Sequence, residues 1–186
     1  MGLYRDARLF VRAVRGGFRA RRDKAVVVRQ LLEVPELEPR TYQIAVYFAD
    51  SVVNLYQVRQ WYAPLRELQK RWPVVIFSRN AGTTRRLLEE AGIPIAFVRR
   101  TDELERTLAD QDIRIVLYVN QNTQNFQMMR YGHVWHVFVN HGESDKAYMT
   151  TNQLKTYDYC LIAGDQARAR LGRALWEASA TRVGLA

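Results

Sequence analysis

The chain has 186 residues, of which 48% are apolar and 25% are charged, and its formal net charge is +9. This composition suits one folded domain with a buried core and excludes a disordered tail. Ten glycines, five prolines and a single cysteine exclude collagen-like, low-complexity and disulfide-scaffold proteins. The longest strongly apolar stretches are about six to eight residues. A bilayer-spanning helix needs ~18–20, so we expect no membrane span.

The amino-terminal segment is strongly basic. The first 30 residues carry nine basic and two acidic side chains, whereas the rest of the chain is close to neutral. Six arginines recur at steps of three and four, which places them along one side of a helix: Arg5, Arg8, Arg12, Arg15, Arg19 and Arg22. The opposite side is predicted to be apolar: Leu3, Ala7, Phe10, Val14 and Phe18. Residues 1–38 are therefore predicted to form a basic amphipathic helical segment.

Three interpretations of this segment stay open. A helix with arginine on one side and apolar residues on the other is typical of proteins that bind an anionic membrane surface. The same helix could instead pack its apolar stripe on its own domain and leave the arginines in water. Nucleic-acid phosphate is the third partner. It is disfavoured because the segment has few aromatic residues to stack on bases and the chain has no recognisable DNA or RNA motif, so we expect no nucleic-acid partner.

Residues 39–186 are predicted to alternate short apolar strands with helices. The predicted strands span 42–49, 74–77, 93–98, 113–119, 134–139 and 159–163. The predicted helices span 54–72, 83–91, 102–109, 126–131, 147–157 and 166–175. This alternation indicates an α/β domain, a Rossmann-like parallel sheet with helices on both faces.

Polar residues follow the predicted strands at the edge where such sheets bind ligands, beyond the strands' carboxyl ends. Asn120 and Asn122 follow the fourth strand, and His141 and Gly142 follow the fifth. His141 has the side chain at this edge that best suits proton transfer near neutral pH. A histidine that merely caps a strand or bonds a turn is the alternative interpretation.

The turn after His141 is predicted to attract an anion. Ser144 or Asp145 suits the N-cap of the next helix, whose free N–H groups would face the turn, and Lys146 adds a positive charge. The chain has neither a glycine-rich dinucleotide fingerprint after its first strand nor a Walker sequence, so nicotinamide dehydrogenases and P-loop enzymes are disfavoured and no cofactor is expected. Nor do we expect a zinc site, because His136 alternates to the sheet face opposite His141.

The segment after the fifth strand resembles the CDP-glycerol glycerophosphotransferase family of teichoic-acid and related cell-envelope polymer synthesis. The resemblance covers residues 134–165 and rests on His141-Gly142-Glu143-Ser144-Asp145-Lys146, on Asn152-Gln153-Leu154-Lys155 and on Tyr157-Asp158-Tyr159. The family's His-Gly-Thr-Pro-x-Lys motif maps onto His141, Gly142 and Lys146. This chain departs from it at Glu143 and Ser144, where the family has Thr-Pro.

The resemblance implies a fold, a reaction and a location. Its members have two Rossmann-like domains in a GT-B arrangement and lie on the inner face of the cell membrane, so residues 39–186 would be the acceptor-side domain of a longer enzyme and inactive alone. His141 would be the general base that deprotonates an acceptor hydroxyl, which then attacks the phosphate of CDP-glycerol and displaces CMP. The acceptor would be a polyol phosphate or a lipid-linked polymer. Gly142, Ser144, Lys146, Asn120 and Asn122 are the predicted phosphate- or substrate-binding residues.

Two other functions fit the same pattern. One is half of a glycosyltransferase that uses a nucleotide sugar, because a fold does not determine the donor. The other is a non-catalytic module that binds a membrane or an anionic polymer through its basic segment.

Overall fold

The computed structural model describes residues 17, 18, 20–31, 33, 36–142, 152–175 and 183–185. Within them, seven strands form one parallel sheet in the order β3-β2-β1-β4-β5-β6-β7. The strands are β1 (Ile44–Phe48), β2 (Val74–Ser78), β3 (Ile95–Phe97), β4 (Ile115–Tyr118), β5 (Trp135–Phe138), β6 (Tyr159–Ile162) and β7 (Val183–Leu185). The predicted α/β Rossmann-like class is confirmed.

Helices and short 3-10 turns connect the strands. The first helix, α1, comprises residues 20–31, and residues 17 and 18 are also helical. The others are α2 (Tyr56–Arg59), α3 (Tyr62–Gln69), α4 (Ala81–Glu90), α5 (Thr101–Asp110), α6 (Phe126–Met129) and α7 (Asp165–Ala174), with 3-10 turns at Val52–Asn54, Thr123–Asn125 and Asn152–Thr156. None of the helices in the described part of the chain is both long and apolar enough to cross a bilayer.

The core has two layers, one on each face of the sheet. Alternate residues of the central strands point to opposite faces, as the period of a strand requires. One layer packs Val46 and Ile76 with residues of α2, α3 and α4, such as Leu65 and Leu87. The other layer is larger and lies under α5, α6 and α7, around Tyr118. Because both faces of the central strands are covered, β1 and β2 are buried along their whole length.

The prediction of a helix over residues 54–72 is wrong in one respect. The apolar periodicity predicts a single helix over 54–72, whereas the structure divides this stretch into the turn Val52–Asn54, α2 and α3. The helical hydrogen bonds tighten between the pieces, where the Trp61 N–H donates to the Val58 carbonyl at 2.9 Å. The division turns Gln60 and Trp61 toward the carboxyl end of β5.

Several predictions concern residues outside the described part of the chain. Most of the basic stripe lies there: Arg5, Arg8, Arg12, Arg15 and Arg19. So do Ser144 and Lys146. The division into residues 1–38 and 39–186 stays a prediction. The described residues of the first segment show α1 packed on the body through Val27, which is buried, and Asp23, whose carboxylate lies 3.1 Å from Arg85 Nη1 of α4.

Candidate active site at the carboxyl edge of the sheet

The strand order places a crevice between β1 and β4. The chain builds outward from β1 to β3 and then returns to the other side of β1 with β4. Connections therefore leave β1 and β4 in opposite directions, and ligands of open α/β sheets bind at such a switch point, beyond the carboxyl ends of the strands. Asp50 follows β1 here, Asn120 follows β4, and His141 follows the adjacent β5.

A polar network below this edge links the ends of β1 and β4 to α2, to the 3-10 turn Thr123–Asn125 and to Tyr157. The Asn120 amide nitrogen donates to Asp50 Oδ2 at 3.1 Å and to Gln57 Oε1 of α2 at 2.7 Å. The Asn125 amide nitrogen donates to the Asn120 carbonyl at 2.7 Å and to the Tyr157 hydroxyl at 3.1 Å. Asn120 is only 4% exposed. Buried polar groups with partners of this kind fix the positions of the strand ends.

His141 stands at the end of β5, and its ring is hydrogen-bonded to the neighbouring strand. Nδ1 lies 2.8 Å from the Val119 carbonyl oxygen. A carbonyl oxygen only accepts hydrogen bonds, so in the neutral ring Nδ1 carries the proton and Nε2 carries the lone pair. The ring is half-buried rather than enclosed. His141 therefore offers what a general base needs, an oriented imidazole whose basic nitrogen Nε2 is not bonded by any described residue.

The backbone that carries His141 is held from α2 and α3. Asn140 has a φ of +62°, and its side-chain oxygen accepts a hydrogen bond from the His141 N–H at 2.7 Å. Trp61 Nε1 donates to the Asn140 carbonyl at 2.6 Å, and the Gln60 amide donates to the His141 carbonyl. The Tyr56 ring meets the imidazole edge to face, with the ring centroids 6.0 Å apart. These contacts fix both the peptide and the ring of His141.

Gly142 continues the same turn in a conformation that needs glycine. Its φ is +118°, which side chains of L-residues rarely adopt, and no described atom outside its chain neighbours lies within 4 Å of where a Cβ would stand.

The two predicted asparagines differ in their surroundings. Asn120 supports the site from below, as part of the buried network. Asn122 is half-buried and caps the 3-10 turn after β4, because its side-chain oxygen accepts from the Gln124 N–H at 2.8 Å. Contact of either residue with a substrate stays a prediction.

The other histidines are not part of this site. His136 is buried on the opposite face, where Nδ1 lies 2.8 Å from the Tyr118 hydroxyl and Nε2 lies 3.2 Å from the Tyr131 carbonyl oxygen. Burial lowers the pKa of His136 below its ordinary value. His133 is exposed, in a loop before β5. Among the described residues, no three His, Cys, Asp or Glu side chains come together as a metal site.

Sequence reasoning missed Gln57, Gln60 and Trp61 as parts of the site. Gln57 offered one clue, since it is a polar residue among the buried positions of its helix, next to Val58. Gln60 and Trp61 offered none, because their contacts depend on how α2 and α3 are divided. In comparisons with known proteins, the chain matches no model of a protein family and no curated protein sequence.

Proposed function

We propose that the protein is a glycerophosphotransferase-like enzyme that moves glycerol phosphate from CDP-glycerol to a hydroxyl of a cell-envelope polymer. The observation that supports it most directly is the hydrogen bond from His141 Nδ1 to the Val119 carbonyl. This bond leaves Nε2 as the basic nitrogen at the edge of the sheet where α/β proteins bind ligands. The reaction needs a base of this kind for the acceptor hydroxyl.

The proposed reaction is a single displacement at phosphorus. His141 Nε2 takes the proton of the acceptor hydroxyl as its oxygen forms a bond to the glycerol-bearing phosphorus of CDP-glycerol. The bond from that phosphorus to the bridging oxygen breaks, and the electron pair leaves with CMP. The products are a phosphodiester and CMP, and the protonated imidazole then returns its proton to solvent. General-base assistance of this kind typically contributes 10²–10⁴-fold to a rate.

The resemblance of residues 134–165 to the glycerophosphotransferase family supports the donor and the reaction type. Ser144 and Lys146 would then contribute to phosphate binding, together with the backbone at Gly142, where added negative charge would be stabilised by nearby N–H groups and a cation. Location on the inner face of the cell membrane belongs to the same proposal, with the exposed Arg22 of α1 among the contacts.

The proposal is tested by CMP release from CDP-glycerol in the intact protein supplied with a polyol-phosphate acceptor. We expect His141→Ala to lower the rate at least 100-fold, because it removes the base. His133→Ala is the matched control, since it makes the same change at an exposed histidine outside the site. Equal rates for the two variants would remove His141 from the reaction. Release of a nucleoside diphosphate from a nucleotide sugar, with none of CMP, would favour the glycosyltransferase alternative.

A further inference from the structure

Arg79 is a half-buried arginine at the carboxyl edge of the sheet, directly after β2. Its guanidinium is held by two neutral groups. Nη1 donates to the Tyr47 hydroxyl at 3.1 Å, and Nη2 donates to the Arg99 carbonyl at 2.6 Å. Tyr47 belongs to β1 and Arg99 follows β3, so these two bonds fix the guanidinium across the ends of three strands.

The charge of Arg79 has no counter-charge in the described part of the chain. Arg59 Nε lies 2.8 Å from Glu90 Oε1, and Arg85 Nη1 lies 3.1 Å from Asp23 Oδ1. Arg79 has no carboxylate partner of this kind among the described residues. A partly desolvated cation without a partner costs free energy, and an anionic ligand would supply the missing charge.

A helix dipole does not supply that charge either. Arg66 also bonds to backbone carbonyls, but these are the carbonyls of Glu90 and Ala91 at the negative end of α4. The carbonyl that Arg79 contacts belongs to Arg99, which precedes α5 and so lies near the positive end of a helix. Arg79 is therefore not explained as a helix cap.

A second arginine lies near the same hydroxyl groups. Arg130 follows α6, is exposed and forms no ion pair with a described residue. Burial raises the pKa of Tyr47, and the charges of Arg79 and Arg130 oppose that increase. Burial and Glu105 raise the pKa of Tyr131, and the same two arginines oppose it. Both cations are therefore close to both tyrosines, and we call these two arginines and two tyrosines the arginine site.

One carboxylate adjoins the arginine site. The Tyr131 hydroxyl donates to Glu105 Oε1 of α5 at 3.3 Å. Glu105 is not within ion-pair distance of Arg79 or Arg130. Its charge therefore opposes the binding of an anion without neutralising either arginine directly.

The hydrogen-bond donors at this site suit a phosphate group. A guanidinium has five N–H groups, and the bonds to Tyr47 and Arg99 use two of those of Arg79. The others have no acceptor among the described residues. A phosphate offers more acceptor oxygens than a carboxylate, and the planar guanidinium matches their geometry better than an ammonium does. A second cation at Arg130 strengthens the preference for phosphate.

The arginine site is separate from the predicted phosphate-binding residues beside His141. Arg79 follows β2 and His141 follows β5, and the order β2-β1-β4-β5 puts three strand spacings between them. Three spacings correspond to about 14 Å. A phosphate at Arg79 is therefore not the phosphate that would lie next to His141.

We infer that Arg79 and Arg130 bind a phosphate group of a ligand on the β1–β3 side of the carboxyl edge. Phosphomonoesters and phosphodiesters share this chemistry and differ in charge, so both are included. The inference goes beyond the proposed function, because it requires neither CDP-glycerol nor a base at His141.

The site is tested by nuclear magnetic resonance of the arginine Nε–Hε groups and backbone amides in the full chain. The protein is titrated with methyl phosphate, dimethyl phosphate and acetate at constant ionic strength. We expect a saturable shift of the Arg79 Nε–Hε signal and of the Tyr131 amide with a phosphate ester, and binding of acetate about tenfold weaker. The ester that binds more tightly identifies the ligand as a monoester or a diester.

Four variants test the role of the charges, with binding followed at the Tyr131 amide. Arg79→Lys keeps the charge but loses the fork of donors, so we expect it to weaken binding about tenfold. Arg130→Gln changes an exposed side chain, so we expect the fold to be kept and binding to weaken several-fold. Glu105→Gln removes the opposing charge and should tighten binding. Arg86→Gln makes the same charge change as Arg130→Gln at an exposed position of α4 and should leave binding unchanged.

Three results would overturn the inference. The first is equal affinity for acetate and for both phosphate esters. The second is a shift that does not saturate, or no shift at all. The third is an equal effect of Arg130→Gln and Arg86→Gln, which would show a general effect of net charge. No donor substrate is present in these titrations, so the inference and the CMP-release assay can fail independently of each other.

Discussion

His136 lies in β5 and His141 follows the end of the same strand, and the two side chains have opposite environments. His141 is half-buried and its Nε2 is not bonded by any described residue, whereas His136 is buried with a partner at each ring nitrogen. The Tyr131 carbonyl only accepts, so His136 Nε2 carries the proton and Nδ1 accepts from the Tyr118 hydroxyl. A neutral ring satisfies this arrangement, and a protonated ring would lose the bond from Tyr118. His136 is therefore structural, and His141 is the candidate for chemistry.

The burial of His136 predicts acid sensitivity. Its pKa is lowered in the folded state, mainly by desolvation, from an ordinary value of 6.5. As the pH falls below about 6.5, the unfolded chain takes up the proton first, so stability is full above that pH and decreases below it. Between pH 7.5 and 5.5 we expect urea unfolding to show a decrease in the free energy of unfolding that comes from this group. We expect the His136→Gln protein to have a lower free energy of unfolding than the wild-type protein at pH 7.5. It should lose less of that free energy between pH 7.5 and 5.5.

The neighbouring titratable groups do not reverse that expectation. Asp158 favours the charged ring and His133 disfavours it, and both effects are smaller than burial. Arginine partners lower the pKa values of the Glu90 and Asp102 carboxyls. These two groups therefore affect the free energy of unfolding at more acidic pH. Equal losses for the wild-type protein and His136→Gln would show that His136 is not neutral in the fold.

At the scale of elements, the site depends on how α2 and α3 meet β5. Strand alternation was sufficient to predict that His141 ends a strand at the ligand-binding edge and that His136 faces the other way. It could not predict the bond from His141 to the Val119 carbonyl, because that bond depends on how β4 pairs with β5. In this pairing Val116 lies opposite His136 and Tyr118 lies opposite Phe138. It also could not predict the break between α2 and α3, because the apolar periodicity continues through it. Local patterns thus predicted the elements, and tertiary pairing determined the contacts of the site.

Trp61 provides a test of this element contact. Trp61→Phe keeps most of the ring but removes the Nε1 hydrogen bond to the Asn140 carbonyl. We expect it to lower the free energy of unfolding by about 0.5–1.5 kcal/mol and to slow CMP release several-fold, because the His141 peptide is then held by fewer bonds. Trp72→Phe, at an exposed position before β2, is the control and should change neither quantity. Indistinguishable rates for the two variants would show that Trp61 does not position His141.

At the scale of the whole molecule, strand order explains why the functional residues converge. Asp50, Asn120 and His141 are far apart in sequence, and the order β3-β2-β1-β4-β5 brings their strands together at one edge. The basic helix is attached to the same end of the molecule through Asp23 and Arg85. The basic helix and the His141 imidazole therefore lie on the same side of the protein. Composition alone predicted the charge of the amino-terminal segment but not its place on the body.

The attachment of α1 is tested by Asp23→Ala. Its carboxylate is largely buried against Arg85, so its loss leaves the arginine without that partner and loosens α1. We expect amide hydrogen exchange in residues 20–31 to quicken about tenfold, which corresponds to ~1.4 kcal/mol, while β1 and β2 keep their protection. Glu33→Ala is the control, because its pair with Arg29 spans 3.8 Å and is exposed on both sides. Equal exchange in the two variants would mean that α1 is held by other contacts.

The most direct test of His141 as a base uses His141→Gln in the intact protein. The glutamine amide can still donate to the Val119 carbonyl, but it cannot accept a proton from an alcohol. We expect CMP release from CDP-glycerol to fall at least 100-fold with the melting temperature unchanged within a few degrees. A His141→Gln protein that releases CMP within a few-fold of the wild-type rate would contradict the proposed chemistry.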